Sequence, residues 1–484
     1  MNAQAKAPTA SVPIQGEVKI DWTKIDTPVQ RDGKKIVLPG DPEEMPYDVA
    51  ISTIQRVRDS EAQTYDVTED VEGLPWDALT AIFRAMQELY GVVLPETMQT
   101  WFGPRNPTFL SIRTGPQPSD VIQVPFGQLS LPGWTTPIVA HLTEDGARMH
   151  GKVNKKDRAG LVEIAALART IVSTDSIYKG KAFRLLVDDD GDLDVNQQPE
   201  FIDLAGVTEH NMLHNELTAA IIRTSILAPL KHSAACKKHG VSLKRGILLE
   251  GVYGTGKTLT ARITAKVAVD NGWTFIDLGR AQGLTSALAV AKRYQPSVVF
   301  AEDIDRFADR EDEDVNDLIN RMDGLVPAGA ELMTVLTTNN VEKIDRALLR
   351  PGRFDAVISL DTPDATTVQR LVRHYGGAEL PEAIPLERLG DMMAGRVPAM
   401  IEEAVKRAKL AMLVEDRDQL TEEDLLASAE SMKRQAALLE AKPPEPSAGD
   451  ELASALKRVF TEAMPVDEIG DDLKRIANAV APQF

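Results

Sequence analysis

Residues 245–258 read RGILLEGVYGTGKT, and this stretch decides the fold. Ile247, Leu248 and Leu249 form a short apolar run of the kind that fills a strand buried on both faces. The GVYGTGKT that follows, at 251–258, matches the phosphate-binding pattern G-x-x-x-x-G-K-[ST]. Gly251, Gly254 and Gly256 permit the tight turn that aims backbone N–H groups inward, and the helical stretch behind them offers its positive N-terminus to the same point. Lys257 adds a point charge for the outer phosphates, and the Thr258 hydroxyl can ligate Mg²⁺. The candidate cofactor-binding set here is Gly251, Gly254, Thr255, Gly256, Lys257, Thr258 and Leu259, with ATP and Mg²⁺ as the cofactors.

A strand ending in carboxylates belongs beside such a loop, to hold the metal through water and to polarise an attacking water. SVVFAEDID (297–305) supplies it, with Glu302, Asp303 and Asp305 closing an apolar run. RGILLEG, WTFIDLG, SVVFAED and ELMTVLTTN are four buried-strand candidates that alternate with helical patterns, the mark of a parallel sheet covered by helices. The expected fold is therefore an α/β core of the P-loop NTPase type, a parallel sheet flanked by helices, followed by a helical segment and preceded by an α+β domain. After Asp361 the pattern turns helical through Glu440, and Thr421 and Asp424 stand in capping-box spacing.

The expected organisation runs as follows. Residues 1–48, rich in proline, form a flexible arm. Residues 49–200 form the amino-terminal α+β domain: a helix at 76–90, alternating runs at 108–113, 120–131, 136–143 and 146–153, a helix at 161–173, and a closing strand at 181–187. Residues 201–361 form the nucleotide-binding domain, 362–440 the helical lid, and 441–484 a linker (KPPEPSAGD) with carboxy-terminal helices.

Hydrophobic residues make up 43% of the 484 and charged ones 26%, as in a globular protein with a substantial core. A formal charge of −19 disfavours a role in coating nucleic acid. With Cys236 as the single cysteine, an intrachain disulfide is impossible. No apolar run is long enough to span a membrane, and the opening lacks a signal-peptide core, so a cytoplasmic location is expected. DDDGDLD (188–194) reads as a hairpin turn, because Leu186 stands where a calcium loop needs an oxygen ligand. His210 and His214 lack a third ligand for zinc.

The segment from about Leu204 to Ala437 resembles the AAA+ ATPase module of the protein-remodelling clade. The resemblance is carried by APLKHSAACKKHGVSLKRGILLEGVYGTGKT and by TTNNVEKIDRALLRPGRFD (337–355), which is similar to that clade's second region of homology. It implies that Asn339 is the first sensor and that Arg350 and Arg353 are arginine fingers reaching a neighbouring subunit's nucleotide, hence a ring, usually a hexamer. It further implies that Glu302 supports the metal, Asp303 activates water, and Ala205 and Gly206 lie at the adenine, with Arg396 placed where a second sensor would stand or simply exposed at a helix start. No H-E-x-x-H occurs, so the resemblance excludes the AAA proteases with a built-in zinc peptidase.

The chain departs from that pattern in three places. The acid pair is Glu302-Asp303 where the family has Asp then Glu, which sets the base about 1 Å off and slows hydrolysis. Val252-Tyr253 replaces Pro-Pro, at positions expected to point away from the phosphates. The aromatic pore loop is not visible, leaving Arg280, Gln282 and Leu284 as the channel candidates and an acidic loop at 306–317 as a second one. The function expected is an ATP-hydrolysing ring that remodels, unfolds or disassembles a protein partner recruited by the amino-terminal domain. A slow ATP-gated scaffold or switch is the alternative, and a nucleic-acid motor the less favoured one.

Overall fold

The computed structural model describes residues 64–101, 103–188, 191–279, 283–306, 326–327, 329–344 and 354–440, with short stretches at 35–36, 45–46, 51–52 and 55. It divides into two compact units, 1–361 and 362–484.

The first unit opens with strand β1 (Thr64–Glu72) and helix α1 (Pro75–Tyr90). Proline at the first turn and Gly91 at φ 79° bound that helix, as the cap rules require. Strands β2 (Thr108–Arg113), β3 (Val121–Ser130), β4 (Ile138–Thr143) and β5 (Gly146–Asn154) follow and pair antiparallel, with β5 lying between β4 and β1. Helix α2 (Lys155–Thr174) starts where the Asn154 side chain accepts the Asp157 N–H at 2.8 Å. Both helices pack on each other and on these strands.

The chain then builds a second sheet from β6 (Ala182–Arg184), β7 (Glu200–Phe201), β8 (Arg245–Glu250), β9 (Thr274–Asp277), β10 (Ser297–Ala301), β11 (Leu332–Thr338) and β12 (Ala356–Ser359). Its order is β7-β6-β9-β10-β11-β8-β12, all parallel apart from the β6–β7 pair. Helices α3 (Glu216–Ile222), α4 (Lys257–Asp270) and α5 (Leu284–Arg293) complete the α/β architecture.

The closing strand expected at 181–187 is shorter and belongs elsewhere. It hydrogen-bonds into the parallel sheet, Ala182 opposite Phe275 and Arg184 opposite Asp277. Nor does residue 200 divide two compact bodies. Alternation along the strands sends Leu248, Ile276, Val299 and Leu336 to one face, where they share a core with Val71, Leu79, Ile82 and Leu161 of the amino-terminal segment. Ile247, Phe275, Phe300 and Val335 face the other way, onto Ile222, Ile226 and Ile263. Val187 bridges Leu193 antiparallel on either side of residues 188–192 of the DDDGDLD segment, of which residues 189 and 190 lie outside the described residues.

The second unit is a helical bundle of α6 (Ala365–Gly376), α7 (Glu387–Met393), α8 (Pro398–Val414) and α9 (Glu422–Glu440). Asp364 caps α6 by accepting the Thr367 N–H at 2.7 Å. Val368, Leu371, Met393, Ile401, Val405 and Leu425 are buried. Among the described residues no helix is long and apolar enough to cross a membrane. The carboxy-terminal helices expected after 441 and most of the expected arm lie outside the described residues.

Candidate active site

Three adjacent parallel strands, β10, β11 and β8, end at one rim of the sheet, and each delivers part of the site. β8 runs into the glycine loop, where the Gly251 N–H donates to Thr338 O at 3.2 Å. Gly254 and Gly256 adopt φ values of 83° and 98°, which L side chains rarely take. A Cβ on Gly251 would come within 2.7 Å of Thr255 Oγ1 and 3.0 Å of Leu360 O, so the cradle closes only around glycine. Thr255 Oγ1 donates to Val252 O at 2.8 Å and pins the turn. Gly256 is the N-cap of α4, so the first free amides of that helix face the loop.

Lys257 is buried, and its ammonium donates to Gly251 O at 2.5 Å, to Asn339 Oδ1 at 2.7 Å and to Val252 O at 3.3 Å. Burial pushes this amine below its ordinary value, while Asp303, Asp305, Glu302 and Glu250 pull it back up. The Tyr253 ring also lies 5.6 Å from Nζ, within reach of a cation–π contact. That corrects the expectation that the Val252-Tyr253 side chains point away from the phosphate side, for Tyr253 alone: its ring reaches the lysine, while Val252 lends only its backbone carbonyl and is exposed.

The acids separate into two pairs. Thr258 Oγ1 donates to Glu302 Oε1 at 2.8 Å, bringing together the two oxygen donors expected on the metal side. Asn339 Nδ2 donates to Asp303 Oδ1 at 2.8 Å, so the expected sensor and the expected base touch directly. Asp303 sits at φ 51°, a left-handed backbone rare for a residue other than glycine, and its N–H donates to Thr337 Oγ1 at 3.0 Å. The donor set is hard oxygen beside a glycine cradle, which fits Mg²⁺ with a polyphosphate.

Asp305 plays a part that the strand-end pattern did not reveal. It is buried and accepts both the Asn339 N–H at 3.0 Å and the Thr338 hydroxyl at 3.1 Å, fixing the backbone of Asn339. Beside Thr258 and Glu302 opens a groove of about 280 Å³, also lined by Arg184, Arg262 and Asp277. Arg184 forks onto Asp277 Oδ2 through Nε at 2.9 Å and Nη2 at 2.8 Å. Its strand lies well upstream of the nucleotide motifs, and nothing in them marks it.

On the expected base side, Asp203 Oδ1 accepts the Ala205 N–H at 2.8 Å, and Gly206 takes φ 73°. Ala205 and Gly206 are exposed, and Arg262 Nη2 ties this segment to α4 through Asp203 O at 3.2 Å. Leu259 is partly buried and packs into the core beneath the loop. Leu284, read as a channel candidate, is instead fully buried as the first residue of α5, whose Leu284, Ala287, Leu288 and Ala291 all turn inward. Arg280, Gln282, Arg350, Arg353 and the acidic loop beyond Arg306 lie outside the described residues. Arg396 is half-buried just before α8 in the second unit.

Comparison with known proteins agrees with this geometry. Residues 247–362 match the model of the ATPase family associated with various cellular activities (AAA). The proteasome-activating nucleotidase of Methanocaldococcus jannaschii is 28% identical over 58% of this chain and 67% of its own length. ATP-dependent zinc metalloprotease FtsH 2 of Petrotoga mobilis is 30% identical over 40% of this chain and 33% of its own. The cell division cycle protein 48 homolog of Archaeoglobus fulgidus is 32% identical over 40% of this chain and 28% of its own. The chain thus spans only about a third of the last two relatives.

Proposed function

We propose that this chain, whose residues 247–362 match the AAA family of ATPases, hydrolyses ATP and uses the cycle to remodel a protein partner. The observation that carries the reading is the continuous chain Lys257–Asn339–Asp303 beside the Thr258–Glu302 pair, all at neighbouring strand ends.

In this reading the glycine loop and the α4 N-terminus bind the phosphates through backbone amides, and Lys257 neutralises the outer ones. Thr258 and Glu302 hold Mg²⁺, which when bound offsets charge on the phosphate oxygens. Asp303 accepts the proton of the attacking water, and Asn339, whose amide reaches both Asp303 and Lys257, sets that water's orientation. Ala205 and Gly206 take the base. Arg350 and Arg353 act across the interface of a ring, expected as a hexamer, by spreading a guanidinium over the phosphoryl oxygens. The relatives' names, a proteasome-activating nucleotidase and ATP-dependent metalloproteases, favour protein as the material acted on. The amino-terminal segment is the part proposed to recruit it.

Orthophosphate release from ATP, measured with and without Mg²⁺ and in the presence of unfolded casein or of DNA, tests this reading. Mg²⁺-dependent turnover raised by casein is expected, and Arg353→Ala should lower it without loss of ATP binding. No turnover under any condition overturns the ATPase reading. Stimulation by DNA alone overturns the protein-remodelling one.

A further inference from the structure

His214 lies outside the family-matched residues and outside the nucleotide motifs, yet its ring is buried against the phosphate loop. Its Nε2 is 2.9 Å from Thr260 Oγ1, and a Cβ built on Gly256 would meet its Cε1 at 3.2 Å. The imidazole therefore sits on the glycine that caps α4 and on the hydroxyl one turn further along.

Thr260 gives both its N–H, at 2.9 Å, and its hydroxyl proton, at 3.0 Å, to Gly256 O. The same hydroxyl is within hydrogen-bond distance of His214 Nε2, so carbonyl, hydroxyl and imidazole form one contact set at the first turn of α4. The first turn of α4 is thus held from inside by Thr260 and from outside by His214. That turn carries Lys257 and Thr258 and the amides proposed to face phosphate.

We propose that His214 is a positioning residue for the nucleotide: it holds the Gly256–Thr260 turn in its phosphate-binding shape and acts on ATP only through that turn. The segment that bears it, 203–214, also carries Ala205 and Gly206 and is tied to α4 a second time through Arg262 and Asp203 O. Base side and phosphate side are therefore fastened to one helix at two points. The inference rests on the reading of 251–258 as a nucleotide loop.

The test uses the full chain with His214→Leu, which fills space without hydrogen bonding, and His214→Gln, whose amide can hydrogen-bond to Thr260 in either direction. Calorimetric titration with ATP and Mg²⁺ and steady-state turnover are measured for each. His214→Leu is expected to weaken ATP binding about fivefold, the loss of one buried hydrogen bond, with kcat at saturation unchanged within about twofold. His214→Gln should recover most of the affinity. A merely structural role would lower the melting temperature of both variants without separating KM from kcat. Wild-type affinity in His214→Leu, or equal loss in both variants, overturns the proposal. Failure of the unaltered protein to bind ATP would instead overturn the nucleotide-loop reading beneath it.

Discussion

Tyr294 Oη donates to Asp77 Oδ2 at 2.8 Å across a separation of 217 residues, joining the end of α5 to the first turn of α1. Asp77 Oδ2 also accepts the Ser176 hydroxyl at 2.6 Å, and its other oxygen accepts the Ile177 N–H at 3.0 Å. Tyr294 in turn accepts the Leu74 N–H at 2.8 Å. A buried carboxylate is tolerated because every oxygen is satisfied, and the network fastens the amino-terminal α+β segment to the nucleotide sheet. Helix α5 begins shortly after the expected channel residues Arg280 and Gln282, so its far end is held by this node.

Tyr294→Phe removes a donor from Asp77 and the acceptor of Leu74 N–H while keeping the ring. Leaving those groups unpaired in the interior should cost about 1–3 kcal/mol. Urea unfolding followed by tryptophan fluorescence measures it, and a loss well under about 0.5 kcal/mol would mean that water replaces the hydroxyl.

Burial raises the Asp77 carboxyl above its ordinary value, against the opposing hydrogen bonds of Ser176, Ile177 and Tyr294. A folded-state value above the unfolded one gives stability that is full below the unfolded value of 3.8 and is lost as pH rises through the folded value. Asp77→Asn lacks this titration. The stability difference between wild type and Asp77→Asn should therefore move against wild type as pH rises from about 3.8, as read from unfolding curves across that range.

The double variant Glu302→Asp with Asp303→Glu reverses the acid pair, lengthening the proposed base by one methylene and shortening the proposed metal-side acid. If carboxylate reach limits turnover, kcat should rise several-fold, since a displacement of about 1 Å can cost up to a hundredfold. Initial-rate measurements check this. An unchanged or lower kcat would show that the left-handed backbone at Asp303 already compensates for the shorter side chain.

In the second unit, Arg417 grips Asp424 through Nη1 at 2.8 Å and Nη2 at 2.7 Å and brings its carboxyl down to about 2. The folded value lies below the unfolded 3.8, so this stability is present above 3.8 and lost as pH falls through about 2. Asp424→Asn should cost about 1 kcal/mol at neutral pH after solvent screening, and little near pH 2. Hydrogen exchange of the α9 amides at the two pH values measures it.

The glycine-loop pattern, the four apolar strands and the carboxylates closing 297–305 were legible because glycine, lysine and carboxylate at fixed spacing have few other uses, whereas Asn339 came only from the family resemblance. The Thr421–Asp424 capping box was legible for the same reason: Asp424 Oδ2 accepts the Thr421 N–H at 2.9 Å, and the Asp424 N–H reaches Thr421 Oγ1 at 3.2 Å. The start of α2 was not, because its first turn, KKDRAG, is polar and shows no apolar period. Three residues of β6 carry too little pattern to say which sheet they join. Leu284 could have been read correctly, since Leu284, Ala287, Leu288 and Ala291 already stand at helical spacing. His214 and Tyr253 could not, because their roles arise only when the chain folds them against Gly256 and Lys257.

The most direct test of the account is calorimetric titration of ATP with Mg²⁺ into the full chain and into Lys257→Ala. Lys257 is the point where the glycine loop, Asn339 and the Tyr253 ring converge. Saturable binding to the wild type and a loss of at least about a hundredfold in the variant, roughly 3 kcal/mol, are predicted. Equal affinity in the two proteins would contradict the assignment of residues 251–258 as the phosphate site.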